Sequence, residues 1–329
     1  MQSLLTLFET SPDDVELMMV SALTVVYLLP ALLESDVQAS SSIYIGVIKC
    51  LEYLIASSRT SIDIDISLSE IRTASAFTMT NLWFKVLEPK LQSSSELALL
   101  NGTMNTSSGD DDDPFSSSRC IPRRRSSLSS HGEDVDTSVM IDNFTALSIC
   151  AAESELSLQD GQEAGHDMNV HFEFALIVES ICAVEYSRPM AMSKGVLKLL
   201  LRWLQSPCID LERPAANALR NLTLTQDSYV AGWVHSVLLH DNALHLIVRK
   251  LESSDSQVRL AMAEIISSLT VAPHTRAGVV QANGVKYLVQ LLGSVDIAHD
   301  EALALAAGKA LLRLAMGSPL TSSKEDCIE

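Results

Sequence analysis

Three stretches of this chain carry nearly the same alternation of apolar and polar positions. They are Gly195–Thr223, Asn242–Thr270 and Gly284–Ala315, and their starts lie 47 and 42 residues apart. In the first, Val196, Leu197, Leu199, Leu200, Leu201, Trp203 and Leu204 are apolar, and Lys198 and Arg202 mark the remaining face. That spacing predicts a helix packed on several sides. A short turn rich in Ser, Pro, Asp or Gly follows each such helix: Gln205-Ser206-Pro207, Ser253-Ser254-Asp255-Ser256 and Gly293-Ser294-Val295-Asp296. A second, Ala-rich helix comes next, through Ala215, Ala216 and Ala218, through Ala261 and Ala263, and through Ala302, Ala304, Ala306, Ala307 and Ala310. Small side chains let helix axes approach closely. A self-similar period of this length, made of helices that cannot bury their apolar faces alone, predicts a stacked helical solenoid.

The rest of the chain predicts helices too. Residues 1–92 read as Asp13–Leu33, Ser42–Ala56 and Ser67–Leu91, a diverged version of the repeat. The start at Ser11-Pro12-Asp13-Asp14 sets a proline near the first turn and acids at the positive end of the helix dipole. Ser61–Ser67 alternates like a strand but is short enough to read as a helix-connecting loop. Residues 93–140 change character. Their serine clusters and Asp110–Asp113 cannot build a core, so they predict a disordered, acidic and Ser-rich insertion. Helices resume over Ile141–Leu158 and His171–Tyr186, with a polar break at Asp160–Asp167, so that 141–317 forms the repeat region. Residues 318–329 read as a polar tail.

The run Glu212-Arg213-Pro214-Ala215-Ala216-Asn217-Ala218-Leu219-Arg220-Asn221-Leu222, with the Gly284-Val285 entry after Gln281-Ala282-Asn283, resembles the armadillo repeat and, more loosely, HEAT repeats. Ser228–Leu239 and His274–Gln281 are similar to that family's short first helix. The resemblance implies an all-α, right-handed armadillo-like solenoid that binds a protein or extended peptide on its concave face. It places Asn217, Arg220, Asn221, Glu264, Ser268, Lys309 and Arg313 as groove candidates. The family's asparagine ladder is met once, at Asn221, because Ser268 and Arg313 stand at the equivalent places. The tryptophan–asparagine pairing of nuclear-import receptors is missing, since Asn217 precedes Asn221 by four residues.

Charge narrows the partners. The formal net charge is −18, against nucleic acid and anionic membranes, both of which need a basic face. The repeats from Lys194 to Arg313 hold 12 basic and 10 acidic residues, so the acidity lies elsewhere. Leu17–Leu33 runs 17 residues without a charge, yet it is short for a span, and the first basic residue is Lys49. A buried helix is favoured over a membrane segment there. Six cysteines without a CxxC pair predict buried free thiols in a reducing compartment, the cytoplasm first with the nucleus open.

No catalytic constellation emerges. Gly308-Lys309 lacks the other residues of a phosphate loop, and neither GxGxxG, GxSxG nor HExxH occurs. His235, His240 and His245 are five apart, which turns them about 140° from one another on a helix. The three tryptophans, Trp83, Trp203 and Trp233, fall on apolar faces and predict packing. No cofactor or metal is expected. One modification site stands out: Arg123-Arg124-Arg125-Ser126-Ser127-Leu128 fits a basophilic protein kinase, with Ser127 the acceptor and Ser126 beside it. An electrostatic clasp of these arginines on Asp110–Asp113, and an inert tether, are the rival readings. The chain therefore reads as a non-enzymatic interaction scaffold or adaptor. The alternative is the regulatory or targeting region of an enzyme, such as a lipid-remodelling hydrolase, whose catalytic domain lies on another polypeptide; Ala231-Gly232-Trp233-Val234 resembles that group.

Overall fold

The computed structural model describes residues 1–12, 14–34, 40–57, 68–91, 131–159, 168–206, 208–240, 243–294 and 300–317. The 61–67 alternation, Asp110–Asp113, Ser126, Ser127, the 160–167 break and the 318–329 tail lie outside them. The described residues are helical and contain no strand. Two compact units divide the chain, Met1–Leu147 and Ser148–Glu329.

In the first unit, α1 (Gln2–Thr10) and α2 (Val15–Glu34) form one hairpin, and α3 (Ser41–Ser57) and α4 (Leu68–Leu82) form the next. Helix α1 packs on α3 and α2 on α4, which makes a two-layer stack. The α1 helix was not among the expected elements. Asp14, as expected of the start signal, caps α2, its Oδ1 accepting from the Leu17 amide at 3.0 Å. Pro30 sits inside α2 and has no N–H to offer the Val26 carbonyl one turn back. The Thr78 hydroxyl of α4 donates to that carbonyl at 3.3 Å instead. Helix α2 is long and apolar enough to cross a membrane by length and composition. Its Met19, Ala22, Val25, Val26 and Leu29 are buried in the stack, whereas Val20, Tyr27 and Leu28 face outward. Helix α4 runs on through a π-helical turn, Trp83–Leu87, to residue 91. The Trp83 indole stacks on Phe144 of α5 (His131–Gln159), with ring centroids 5.5 Å apart. Helix α5 begins at His131, so the last ten residues of the expected 93–140 insertion are helical.

The second unit repeats a three-helix pattern. After α6 (Met168–Ala183) come α7 (Arg188–Ser193), α8 (Val196–Gln205) and α9 (Ile209–Thr223). Next are α10 (Ser228–His240), α11 (Ala243–Arg249, extended by a 3-10 turn) and α12 (Ser256–Leu269). The last set is α13 (Pro273–Gln281), α14 (Gly284–Ser294) and α15 (Glu301–Gly317). Helices α10 and α13 are the short first helices expected of the family. Helix α7 plays the same part in the first repeat and was missed, because its six residues are too few to display a period.

The third helices, α6, α9, α12 and α15, pack side by side. One buried register runs through all four: Val170, Phe174, Ile177 and Ile181; Leu211, Ala215, Ala218 and Leu222; Val258, Met262, Ile265 and Leu269; Leu303, Ala307, Ala310 and Leu314. Offsets of four, three and four residues keep these on one helical face. The junctions turn sharply. Gly195 takes φ +83 before α8, and Asn283 takes φ 63 before α14. A Cβ on Gly284 would lie 2.6 Å from Val279 Cγ1, so only glycine fits that approach.

A repeated cap ties each outer repeat together. Arg188 donates from Nε to the Cys182 carbonyl and from Nη2 to the Ala183 carbonyl, both at 2.9 Å. Arg276 does the same to Thr270 and Val271 at 2.8 and 3.2 Å. Each guanidinium thereby satisfies carbonyls at the C-terminus of the preceding third helix and opposes its negative dipole end. The hydroxyls of Ser187 and Thr275, one residue earlier, bond the same helix ends.

The packing assigns very different costs to residues on the two sides of a third helix. Ile266→Ala opens a hole in the fully buried α12 seam and is expected to cost about 2–5 kcal/mol. Leu305→Ala, on the exposed side of α15, is expected to stay within about 0.5 kcal/mol. Urea unfolding of the two variants against the parent measures both.

Candidate functional site

The outward faces of α6, α9, α12 and α15 form the candidate surface. Corresponding positions follow from the buried register: Asn217, Glu264 and Lys309 share one place, and Asn221, Ser268 and Arg313 another. Most of these polar groups are bonded between helices. Asn217 Nδ2 donates to Glu179 Oε1 of α6 at 2.8 Å. Arg220 Nε donates to Glu264 Oε2 of α12. Arg313 Nη1 donates to the Ser267 carbonyl at 2.6 Å and to its hydroxyl at 3.1 Å. Ser268 Oγ donates to the Thr223 carbonyl at 3.4 Å. Arg213 Nε donates to Asp255 Oδ2 at 2.7 Å, and the Lys250 ammonium lies 3.2 Å from the buried carboxylate of Glu212.

Five of the seven groove candidates, Asn217, Arg220, Glu264, Ser268 and Arg313, are thus engaged in holding neighbouring repeats in register. Lys309 is exposed on α15 and Asn221 half-buried on α9, and neither has a side-chain partner among the described residues. The surface between the bonded groups is apolar. Phe172, Leu224, Val271, Leu305, Leu312 and Met316 are exposed there. Leu224, Val271 and Met316 occupy the same place at the C-terminal ends of successive third helices. Their sequence signal was the repeated Leu222-Thr223-Leu224 and Leu269-Thr270-Val271 triplet, which reads as core until the turn that follows exposes its last residue.

Two carboxylates on this surface are shifted in opposite senses. Burial pushes Glu179 above the ordinary glutamate range, and the Asn217 amide and the Arg213 charge only partly offset that. Burial also raises Asp255, but the Arg213 guanidinium and the amides of Gln257 and Val258 outweigh it and hold the carboxyl below its usual value. Asp255 is the N-cap of α12 as well, its Oδ1 accepting from the Gln257 amide at 2.8 Å.

The other candidate groups are dispersed. Trp83 and Trp203 are buried, but Trp233 is more than a third exposed. It pairs edge to face with exposed Tyr229, centroids 6.1 Å apart, because the first helix α10 has only one side against the stack. His235 is half-buried and held below the ordinary histidine range by burial first and by the nearby His274 second. Burial pushes the thiols of Cys50 and Cys182 up to about 12, whereas Cys150 is exposed and Cys208 half-buried, against the expectation of buried thiols. Among the described residues no group of three or more His, Cys, Asp or Glu is placed to hold a metal ion.

No family model and no curated protein matches the sequence. Solved structures match the fold. Computationally designed armadillo repeat proteins for modular peptide recognition align at TM-score 0.52 and 9% identity, over 94% of this chain and 98% of theirs. The fold is armadillo-like. A second designed armadillo repeat protein aligns at TM-score 0.50 and 10% identity, over 95% of this chain and 98% of that one. An engineered protein aligns at TM-score 0.50 and 16% identity, over 97% and 98%. At such identities the armadillo-like architecture is common ground, and the surface chemistry is this chain's own.

The opposite carboxylate shifts predict opposite pH effects. Asp255 is depressed in the fold, so it contributes stability above its unfolded value near 3.8 that is lost as pH falls through the folded value. Asp255→Ala is expected to lower stability at pH 7 by about 1 kcal/mol through the lost cap, with the gap narrowing toward pH 3. Glu179 is raised, so its ionised form is a burden once pH exceeds the unfolded value of 4.5. Glu179→Gln keeps an acceptor for Asn217 and is expected to be more stable than the parent at pH 7, with no gain below about pH 4. Denaturant titrations at several pH values read out both signs.

Proposed function

We propose that this chain is a non-enzymatic scaffold or adaptor that takes a protein or extended peptide on the concave face, formed by the third helices. The observation that carries this reading is the surface itself. Four parallel third helices fix their polar groups to one another and leave apolar side chains exposed between them. An exposed apolar row with few unpaired polar groups suits recognition by side-chain burial. The designed proteins of the same fold were made for modular peptide recognition, which lends the reading support by analogy.

A partner on this face is recognised chiefly through apolar side chains, with Asn221 and Lys309 as the polar contacts still available. The formal charge of −18 speaks against nucleic acid as that partner. Neutral buried thiols at Cys50 and Cys182 are in keeping with the cytoplasm, the nucleus remaining open. Ser127 is the proposed acceptor for a basophilic protein kinase, with Ser126 its neighbour. No arrangement among the described residues favours the enzyme-associated reading over the scaffold.

Cross-linked capture from intact cells, compared between the parent and a Val271→Asp/Lys309→Glu double variant, tests this. Both positions are exposed, so the double variant is expected to fold while losing its captured partners by roughly tenfold or more. Undiminished capture of the same proteins would sink the third-helix reading.

A further inference from the structure

The middle repeat departs from its neighbours at the cap that joins a third helix to the next first helix. In the outer repeats the first helix follows an extended residue, Val184 or Ala272. A buried hydroxyl residue stands three places later, Ser187 or Thr275, and the capping arginine comes next. In the middle repeat Thr225 and Gln226 lengthen the link, and Asp227 caps α10 by accepting from the Tyr229 and Val230 amides at 2.8 and 3.3 Å. Val230 and Val234 take the buried places of Ser187 and Ala191 and of Thr275 and Val279. Ala231 therefore stands where Arg188 and Arg276 stand.

The acceptors themselves are retained. Cys182 and Ala183, Thr223 and Leu224, and Thr270 and Val271 are matched pairs at third-helix ends, the first residue of each buried and the second exposed. In the outer repeats each pair accepts two guanidinium N–H bonds. In the middle repeat the Ser268 hydroxyl, at a long 3.4 Å, is the one side-chain donor to the Thr223 carbonyl among the described residues, and no described side chain donates to the Leu224 carbonyl. A carboxylate accompanies the place in the first repeat and in the middle one, whereas Pro273 stands there in the last. Glu185 lies 3.9 Å from the Arg188 guanidinium, and exposed Asp227 sits one turn before Ala231.

We propose that the C-terminal end of α9 is a docking site for an arginine side chain of a partner protein, which supplies in trans the guanidinium that Arg188 and Arg276 supply in cis. A guanidinium reaches two carbonyls at once with parallel N–H groups, which an ammonium cannot reproduce. The negative end of the helix dipole and the Asp227 carboxylate set the sign of the charge that binds. The site adjoins the apolar row at Leu224, but the capture variant probes Val271 and Lys309 and the peptide titration probes Thr223–Ala231, so the two readings fail separately.

The test is an amide NMR titration of the full chain with a blocked glycine peptide carrying one central arginine, alongside its lysine counterpart. Saturable shifts confined to residues around Thr223–Ala231 are expected, with the lysine peptide at least several-fold weaker. Ala231→Arg places the missing cation on the chain itself, as in the sister repeats, and is expected to raise the melting temperature and weaken the arginine peptide roughly tenfold. Asp227→Asn keeps a good helix cap while removing the charge, so it is expected to weaken the peptide several-fold in a chain that still folds. Equal binding of the two peptides, shifts scattered over the acidic surface, no saturable shift at millimolar peptide, or binding unchanged in Asp227→Asn would each overturn the proposal.

Discussion

The side-by-side packing of the third helices is the constraint on which the second unit depends. Each of these helices presents a wide apolar stripe that its own repeat covers only in part, and the neighbouring third helix covers the remainder. Small residues make this possible. Ala215, Ala216 and Ala218 in α9, and Ala306, Ala307 and Ala310 in α15, keep the helices close. Close helices in turn bring the polar residues beside the seam within bonding distance. The bonds between Asn217 and Glu179, Arg220 and Glu264, and Arg313 and Ser267 are consequences of that packing, and they fix the register along the stack.

That order of causes explains why the repeat was legible and its surface was not. Apolar period and alanine content report on burial, and burial sets the helices, so Ser228–Leu239 and His274–Gln281 were readable as first helices from sequence. Short or irregular pieces carry too little period. Arg188–Ser193 went unseen for that reason, as did α1, whose nine residues precede the strong start signal at Ser11–Asp14. The start of α5 at His131 was missed for another reason, since the Ser- and Asp-rich composition around it reads as unable to bury a core. Polar partners across a seam are separated by about forty residues in sequence, and nothing local in Asn217 or Arg220 points to Glu179 or Glu264.

The consequence for function is a reassignment of roles among the candidate residues. In a ladder that binds a peptide backbone, amide side chains must be free to turn toward the ligand. Asn217 is instead committed to a carboxylate whose own ionisation is disfavoured by burial, and releasing it would leave Glu179 without its amide partner. Arg220 and Glu264 satisfy each other. On the proposed reading, the surface offers a partner the apolar row through Leu224, Val271 and Met316, and specificity comes from shape and from the few polar groups at its margins.

The same logic separates the two kinds of variation between repeats. Differences on the third-helix face, such as asparagine, glutamate and lysine at one shared place, change which repeats bond to which, but leave each helix with its apolar seam intact. Differences at the helix ends act on backbone carbonyls that the helix itself leaves unpaired. Replacing an arginine by Ala231 removes two donors from a helix terminus and places only a methyl group there, which helix energetics alone would not favour. Among the described residues, compensation is limited to the Ser268 hydroxyl. A repeat that keeps its acceptors and its carboxylate while giving up its cation retains the electrostatic half of the cap, and that half has a defined preference for the group that completes it.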